Sequence, residues 1–378
     1  MDSPLPPEIS LLTPPFGSEF SRRGFLQTVG LGGVGALLLG SVESLRAATG
    51  FAWKVINHNE RDYVTFKDIA TFYRFSRIER DGRHIWLRSP SLMLKASVES
   101  DDLFLNNVKF CLSYPVIEKD GSVMVSRMDL AKLLDPVMRP AYIPNPIIFD
   151  TVVIDAGHGG QDSGARGIYG WEKDYALDTA KRLSKVLAAQ GLKSKLTRET
   201  DVFITKDERY RIANTTPKSI FVSIHYNSIG GRGASGIETY ALSPSGTAST
   251  DQPNKTSDQA NLSGNSRDAE NIALATAIHA MVIYKVKCLD RGIRRARWTV
   301  LTGLQRAGIL FEGGFVTNPE ECAKIHTGDY RDLLASSICG GILNYRKALL
   351  KRGTNPSPEQ VPPPSTKSTP STTAEIKK

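Results

Sequence analysis

Hydrophobic and polar positions follow an alternating pattern over the second half of this chain. From residue 151 to about 350, short apolar runs alternate with segments whose apolar residues recur at helical intervals. The runs predict strands and the periodic segments predict amphipathic helices, so this order predicts an α/β domain with a mostly parallel sheet flanked by helices. The predicted strands are 151–155, 193–197, 219–224, 236–241 and 308–311, and the predicted helices are 173–190, 206–214, 269–286 and 329–350.

The preceding block, residues 51–138, shows a finer pattern of short strands separated by turn signals. Two of its segments, 63–70 and 124–131, are similar to each other, and in each a strand end leads into a helix. Thr65 and Ser126 each stand three residues before an aspartate, which is the spacing of a helix N-cap. The pattern of this block therefore predicts a small α+β domain. We interpret its internal repeat as structural rather than catalytic.

Three further segments complete the predicted organisation. Prolines punctuate residues 139–150 and predict a linker between the small domain and the domain at 151–350. Residues 244–268 are rich in Ser, Thr, Asn and Gly, which predicts a mobile loop that borders a site. Residues 351–378 are rich in Pro, Ser and Thr and predict a disordered tail.

The N-terminal segment, residues 1–48, carries the pair Arg22-Arg23 followed by an uncharged Gly-, Leu- and Val-rich stretch to Gly40. It resembles a twin-arginine export signal. The apolar stretch is shorter than the roughly 20 residues that span a bilayer. This length favours a cleaved signal over a buried or membrane-resting helix. After cleavage, we expect no stable membrane anchor. The resemblance implies export of the folded protein to the periplasm or cell envelope.

The net charge of the chain indicates which classes of partner are possible. The formal net charge of +9 favours a polyanionic neighbour, which would be nucleic acid, a lipid surface or an acidic envelope. Because the chain has no run of five basic residues, we expect no nucleic-acid partner.

The spacing of the four cysteines indicates buried thiols, because it contains no CxxC pattern; they are Cys111, Cys288, Cys322 and Cys339. If the protein is exported, a disulfide between Cys322 and Cys339 is an alternative.

Candidate metal ligands occur at the ends of the predicted elements. His158 and His225 both follow apolar strand-like runs, and Glu172 opens a predicted helix after a Gly-rich loop. All three therefore fall at the carboxyl edge of a parallel sheet, where α/β proteins usually bind ligands. Two imidazoles and one carboxylate form the ligand set of several catalytic zinc sites, because they leave a fourth position open for water. The isolated His58 and His84 have no such neighbours in the sequence.

Glu312 is the candidate general base. It follows the apolar strand predicted at 308–311 and precedes two glycines, so it is expected at the same sheet edge with space for a substrate. A single glutamate at a strand end is usually only solvated. Its coincidence with three other candidates at matching positions favours a catalytic function.

Eight segments carry a resemblance to a known family. They are IDAGHGGQDSGARG at 154–167, WEKD at 171–174, TRETD at 197–201, RYRIAN at 209–214, SIHYN at 223–227, SGIETY at 235–240, DRGIRRA at 290–296 and FEGGFVTN at 311–318. In this order they resemble the zinc-dependent N-acetylmuramoyl-L-alanine amidases. The resemblance implies one Zn²⁺ per catalytic domain, with His158, Glu172 and His225 as ligands and Glu312 as the catalytic residue.

The same resemblance implies hydrolysis of the amide between the lactyl group of N-acetylmuramic acid and L-alanine in peptidoglycan. A zinc peptidase or deacetylase acting on another wall amide, and a catalytically silent wall-binding regulator, are the alternatives. We interpret Arg198, Arg209, Asn227 and Glu238 as structural residues. Residues 51–138 loosely resemble stalk-type domains similar to the N-terminal domain of copper amine oxidases, and the sequence does not identify a protein activator.

Overall fold

The structure is a computed structural model and describes residues 51–351. Its strands are β1 (Val55–His58), β2 (Arg61–Thr65), β3 (Arg77–Asp81), β4 (His84–Arg88), β5 (Met93–Ser97), β6 (Asp102–Leu105), β7 (Val108–Cys111), β8 (Ile117–Lys119), β9 (Ser122–Ser126), β10 (Thr151–Ala156), β11 (Lys193–Leu196), β12 (Ser219–Asn227), β13 (Ile237–Leu242), β14 (Asp290–Ala296) and β15 (Gly308–Phe315). Its helices are α1 (Phe66–Phe72), α2 (Arg127–Asp129), α3 (Asp135–Met138), α4 (Glu172–Ala189), α5 (Lys206–Thr215), α6 (Asp268–Val286), α7 (Thr299–Thr302), α8 (Pro319–His326) and α9 (Gly328–Leu350). A π turn covers Leu130–Leu134, and 3₁₀ turns cover Pro140–Tyr142, Thr256–Gln259 and Ser263–Arg267.

A mostly parallel sheet forms the centre of the second half of the chain. Strands β11, β10, β12 and β15 pair in parallel in that order, β13 runs antiparallel to β15, and β14 is parallel to β13. The predicted fold class is therefore confirmed. The sequence did not predict β14, because four of its seven residues are charged and hide the strand pattern.

Alternate residues of the central strands face two separate cores. Val152 and Ile154 of β10 belong to the larger apolar cluster, whereas Val153 between them belongs to a smaller cluster on the opposite face. Helices α4, α6 and α9 cover the first face, and α5 with α7 covers the second. Because both faces are covered, every residue of β10 and all but two residues of β12 are buried, as is typical of parallel sheets.

The N-terminal block joins this sheet. One pair, Phe110 with Ile293, places β7 beside β14 and extends the sheet through β6, β5, β4 and β3. A second sheet has the order β1-β2-β9-β8. The Thr65 and Ser126 hydroxyls accept hydrogen bonds from the amides three residues later, at 3.0 and 2.9 Å, so both predicted helix caps are confirmed.

The segments between the main elements are packed against them. In residues 139–150, the Ile147 amide donates to the Glu270 carboxylate at 2.9 Å, and the Phe149 ring stacks on Tyr345. In residues 244–268, predicted as a mobile loop, three backbone carbonyls accept hydrogen bonds from Arg297, and one of them, that of Asp258, lies in the 3₁₀ turn Thr256–Gln259. These contacts give both segments defined positions.

The cysteines of the described chain are free thiols, so Cys322 and Cys339, which are both buried, do not form a disulfide. No helix within residues 51–351 has the length and apolarity needed to cross a membrane. The predicted export signal at 1–48 and nearly all of the predicted tail at 351–378 lie outside the described residues.

Close packing of α6 and α9 yields a stability prediction. A Cβ atom on Gly341 of α9 would lie 2.5 Å from the Cα of Ile278 on α6, whereas one on the adjacent Gly340 would meet only Met281 side-chain atoms at 3.3 Å or more. Gly341→Ala should therefore lower the free energy of unfolding by about 1–3 kcal/mol, the usual cost of overpacking. Chemical denaturation measures this change.

Gly340→Ala is the matched control. Because alanine favours a helix over glycine by up to about 1 kcal/mol, this variant should be at least as stable as the wild type. Equal loss of stability in both variants would contradict the account of the α6–α9 contact.

Candidate metal centre

The four chemical residues lie on neighbouring elements at one edge of the sheet. His158 follows β10, His225 lies near the end of β12, and Glu312 lies in the second half of β15, which continues to Phe315. Glu172 is the first residue of α4. His225 and Glu312 are direct neighbours in the parallel register of β12 and β15, so one sheet edge holds both.

Glu172 brings the two imidazoles together. Its Oε1 atom lies 3.1 Å from His158 Nε2 and 2.9 Å from His225 Nδ1. One donor atom from each of the three residues lies within 4.8 Å of the other two. Two ligands about 2.0–2.2 Å from a tetrahedrally coordinated zinc ion are about 3.3 Å apart, so these separations fit a single small cation.

Further contacts fix the first imidazole. Asp162 Oδ1 lies 2.8 Å from His158 Nδ1, and this contact orients the ring so that Nε2 is turned toward Glu172. A carboxylate on the second nitrogen is the usual support of a metal-binding histidine. A Cβ atom on Gly157 would lie 2.5 Å from the His225 ring, so a larger residue there would displace the second imidazole.

A buried ion pair lies directly beneath the ligand loop. Asp155, which is fully buried, accepts hydrogen bonds from Arg209, Thr197 and Ser223 at 2.7–2.8 Å. These bonds saturate both carboxylate oxygens and join α5 to β10 and β12. The strand end that precedes His158 is therefore held from several sides.

Arg198 and Arg209 also bind the backbone of the ligand loop. Arg198 donates to the carbonyls of Ala156 and Gly157 at 3.0 and 2.7 Å. Arg209 donates to the carbonyl of His158 at 2.7 Å. Both arginines thus position the loop, as their interpretation as structural residues expects.

Glu312 faces another buried carboxylate. It is paired with Glu238 in the antiparallel register of β15 and β13. Glu238 receives hydrogen bonds from Asn227, Tyr240 and Arg291, each at 2.7 Å. In contrast, the buried Oε2 atom of Glu312 has no hydrogen-bond partner within the described chain, which leaves it available to a substrate or a water.

The environment separates the acidities of the site carboxylates. Burial by itself raises the pKa of Glu172, but the hydrogen bonds from His158 and His225 outweigh it and hold this pKa well below the usual range. Burial raises the pKa of Glu312 well above its usual range, and the negative charges of Glu172 and Glu238 raise it further. Opposite shifts in one site are typical of a division between a charged ligand and a proton carrier.

The site opens into a cleft of about 540 Å³. Its lining includes the three candidate ligands and Glu312, and also the apolar side chains of Phe203, Trp298 and Val300. The volume lies within the usual range for small-molecule sites. The cleft can therefore hold a substrate that has both an apolar face and a polar group.

Sequence reasoning missed two features of this site. Asp162 was not singled out, although its spacing of four residues from His158 was an available signal. Trp298 and Phe203 were not recognised as part of the cleft, because they lie in loops far apart in the sequence and only the fold brings them together.

The half of the chain that carries these residues is similar to known proteins. Residues 152–344 match the family model described as N-acetylmuramoyl-L-alanine amidase. The chain is 35% identical over 217 residues to the uncharacterized protein YqiI of Bacillus subtilis, covering 57% of this chain and 93% of that protein. It is 29% identical over 217 residues to the N-acetylmuramoyl-L-alanine amidase AmiA of Escherichia coli, covering 51% of this chain and 75% of AmiA.

Among solved structures, the chain is similar to the catalytic domain of CwlV, an N-acetylmuramoyl-L-alanine amidase from Bacillus (Paenibacillus) polymyxa. The sequences are 30% identical, and the match covers 53% of this chain and 99% of that domain, with a TM-score of 0.44.

The buried pair beneath the ligand loop generates a prediction. Asp155→Asn should lower the free energy of unfolding by about 3–5 kcal/mol, because it leaves the Arg209 guanidinium buried without its counter-charge. Urea denaturation monitored by tryptophan fluorescence measures the loss.

Asp150→Asn makes the same chemical change at a half-exposed carboxylate one strand length away. It should change the free energy of unfolding by no more than about 0.5 kcal/mol. An Asp155→Asn protein as stable as this control would show that the ion pair does not support the loop.

Proposed function

The chain belongs to the N-acetylmuramoyl-L-alanine amidase family, and from this membership we propose that His158, Glu172 and His225 hold one catalytic zinc ion while Glu312 moves the proton. The reaction of the family is hydrolysis of the amide between the lactyl group of N-acetylmuramic acid and L-alanine. Peptidoglycan is accordingly the substrate class. The observation that carries the proposal is the convergence of three donor atoms within 4.8 Å beside the unpartnered carboxyl oxygen of Glu312.

The residues present fit zinc by their chemistry. Neutral imidazole nitrogens and one carboxylate suit a borderline-soft cation, and three protein ligands leave a position for water or substrate. When bound, zinc would lower the pKa of a water molecule from its value in bulk solvent to about 7 and would polarise a carbonyl oxygen. Both imidazoles are positioned by their neighbours. Asp162 orients His158, and the close approach of Gly157 fixes the position of the His225 ring.

Glu312 performs the proton transfers in this proposal. Its carboxylate accepts a proton from the attacking water and delivers it to the departing amine of L-alanine. A buried carboxyl with a raised pKa has the higher proton affinity that this cycle requires. Glu238 accepts three hydrogen bonds from its neighbours and does not take part in the transfer.

We further propose how the chain is organised around this reaction. Residues 151–350 form the catalytic domain, and residues 51–138 form a stalk-like module that is linked to it through 139–150 and through the pairing of β7 with β14. Residues 351–378 form a tail. The Arg22-Arg23 segment directs export, which takes the enzyme to the cell envelope where peptidoglycan lies. The exposed basic surface implied by the net charge of +9 suits that acidic surrounding.

Substitution of the proton carrier tests the catalytic assignment. Glu312→Gln should retain one zinc ion per protein and lose about 10²- to 10⁴-fold in the rate of stem-peptide release, because only the proton transfer is removed. Metal analysis and mass spectrometry of peptides released from purified peptidoglycan measure the two quantities.

Glu320→Gln is the control, since Glu320 is exposed on α8 and the chemical change is identical. It should retain both zinc and activity. A Glu312→Gln enzyme with near-normal turnover would remove Glu312 from the mechanism.

Removal of the metal separates the proposed activity from its alternatives. Treatment with a chelator should abolish release of intact stem peptides that begin with a free L-alanine amine, and added Zn²⁺ should restore it, because the ligand set selects zinc. Shortened peptides would instead indicate a peptidase, and free acetate a deacetylase. A protein that binds no zinc would indicate a silent wall-binding module.

A further inference from the structure

A second groove, of about 510 Å³, lies on loops that continue from the site residues. Arg166 and Ile168 belong to the loop that leads into Glu172. Ile229 and Arg232 belong to the loop that follows β12, and Val316 follows β15. The amide of Val316 donates to the carbonyl of residue 227 at 2.9 Å, so the loops after β12 and β15 are joined.

The groove lies within reach of a short peptide that starts at the metal centre. Ile229 is four residues from His225, and Val316 is four residues from Glu312. Ala165 and Ser228 line the catalytic cleft, and the next residues in the chain, Arg166 and Ile229, line the groove, so the groove adjoins the cleft and a peptide that leaves the site can enter it.

The groove combines apolar walls with uncompensated positive charge. Ile168 and Ile229 are 60% and 52% exposed, which is unusual for isoleucine. Arg166 and Arg232 are both exposed, and neither has a carboxylate within ion-pair distance in the chain from 51 to 351. The Arg166 guanidinium is stacked over the Trp171 ring at 4.9 Å, so its position is fixed while its edge nitrogens stay free to donate.

The substrate of an amidase of this family has two unlike halves. The sugar on the acyl side of the scissile amide carries no charge of its own. The peptide on the amine side is acidic, because a glutamyl residue follows L-alanine in peptidoglycan stems. The two half-exposed aromatic residues of the catalytic cleft, Trp298 and Phe203, offer apolar contact to a sugar face, whereas the groove offers guanidinium groups to carboxylates.

Resting on the proposed function, we propose that this groove is the stem-peptide subsite and that Arg166 and Arg232 bind the glutamyl carboxylate next to L-alanine. Arg166 supplies the fixed contact. Arg232 lies in a loop with three glycines, Gly230, Gly231 and Gly233. A Cβ atom added to any of them would have no neighbour within 4 Å, so this loop has space in which the Arg232 side chain can adjust to the peptide. The two arginines therefore determine specificity through substrate binding.

A pair of soluble substrates tests this inference on the full-length, zinc-loaded protein. One is N-acetylmuramoyl-L-alanyl-glutamate, and the other is the same compound with its glutamyl carboxyls amidated. The wild type should show a lower KM for the acid than for the amide. Arg166→Gln/Arg232→Gln should raise KM for the acid about three- to tenfold, the scale of charge-assisted contacts at a surface, and should remove its advantage over the amide.

Two control variants locate the effect. Arg83→Gln removes an exposed arginine from the β3–β4 turn of the N-terminal block and should leave the KM ratio of acid to amide at the wild-type value. Lys206→Gln removes a cation that lines the catalytic cleft but not the groove. If Lys206→Gln abolishes the preference for the acid and the double arginine variant keeps it, the glutamyl carboxylate binds in the cleft and the inference is overturned.

The outcomes separate this inference from the proposed function. Hydrolysis of neither compound by the wild type would overturn both. Hydrolysis of both compounds by the wild type and the double variant, with the same KM ratio, would overturn the peptide subsite alone. Melting temperatures of the variants close to that of the wild type are expected, because both arginines are exposed.

Discussion

The arrangement of the candidate metal centre depends on the contacts that the Glu172 carboxylate makes with two imidazoles. One of its oxygens lies within hydrogen-bond distance of both imidazoles, and the other accepts the amide of Ala165 at 2.9 Å. Without a positive charge nearby, a buried carboxylate is costly. Its burial between two imidazole nitrogens is therefore the strongest physical argument for a cation at this position.

The scaffold accounts for the precision of this contact. His225 sits on β12, which the sheet holds in register, and His158 lies in the loop after β10, whose start is fixed by the buried Asp155–Arg209 pair. Glu172 approaches from the first turn of α4, where the helix dipole favours a negative charge. A strand, a helix start and a braced loop therefore supply the three donors, and such support is the usual requirement for a preorganised metal site.

Much of this arrangement could be predicted from the sequence because its signals are local. Apolar runs predicted β10, β12 and β15. His158, His225 and Glu312 were recognised as candidates because they follow these runs, and Glu172 because it opens a predicted helix. Strand β14 escaped prediction, since its charged residues pair with partners such as Glu238 and Asp129 that only the fold brings near. The joining of β7 to β14 rests on a single residue pair with more than 180 intervening residues, and no local pattern reports such a contact.

Zinc-edge X-ray absorption of the purified protein tests the central claim most directly. The account predicts two imidazole ligands and only nitrogen or oxygen neighbours, at about 2.0–2.2 Å, with loss of one imidazole contribution in His158→Ala. A sulfur neighbour at about 2.3 Å, or a spectrum unchanged by that substitution, would contradict it.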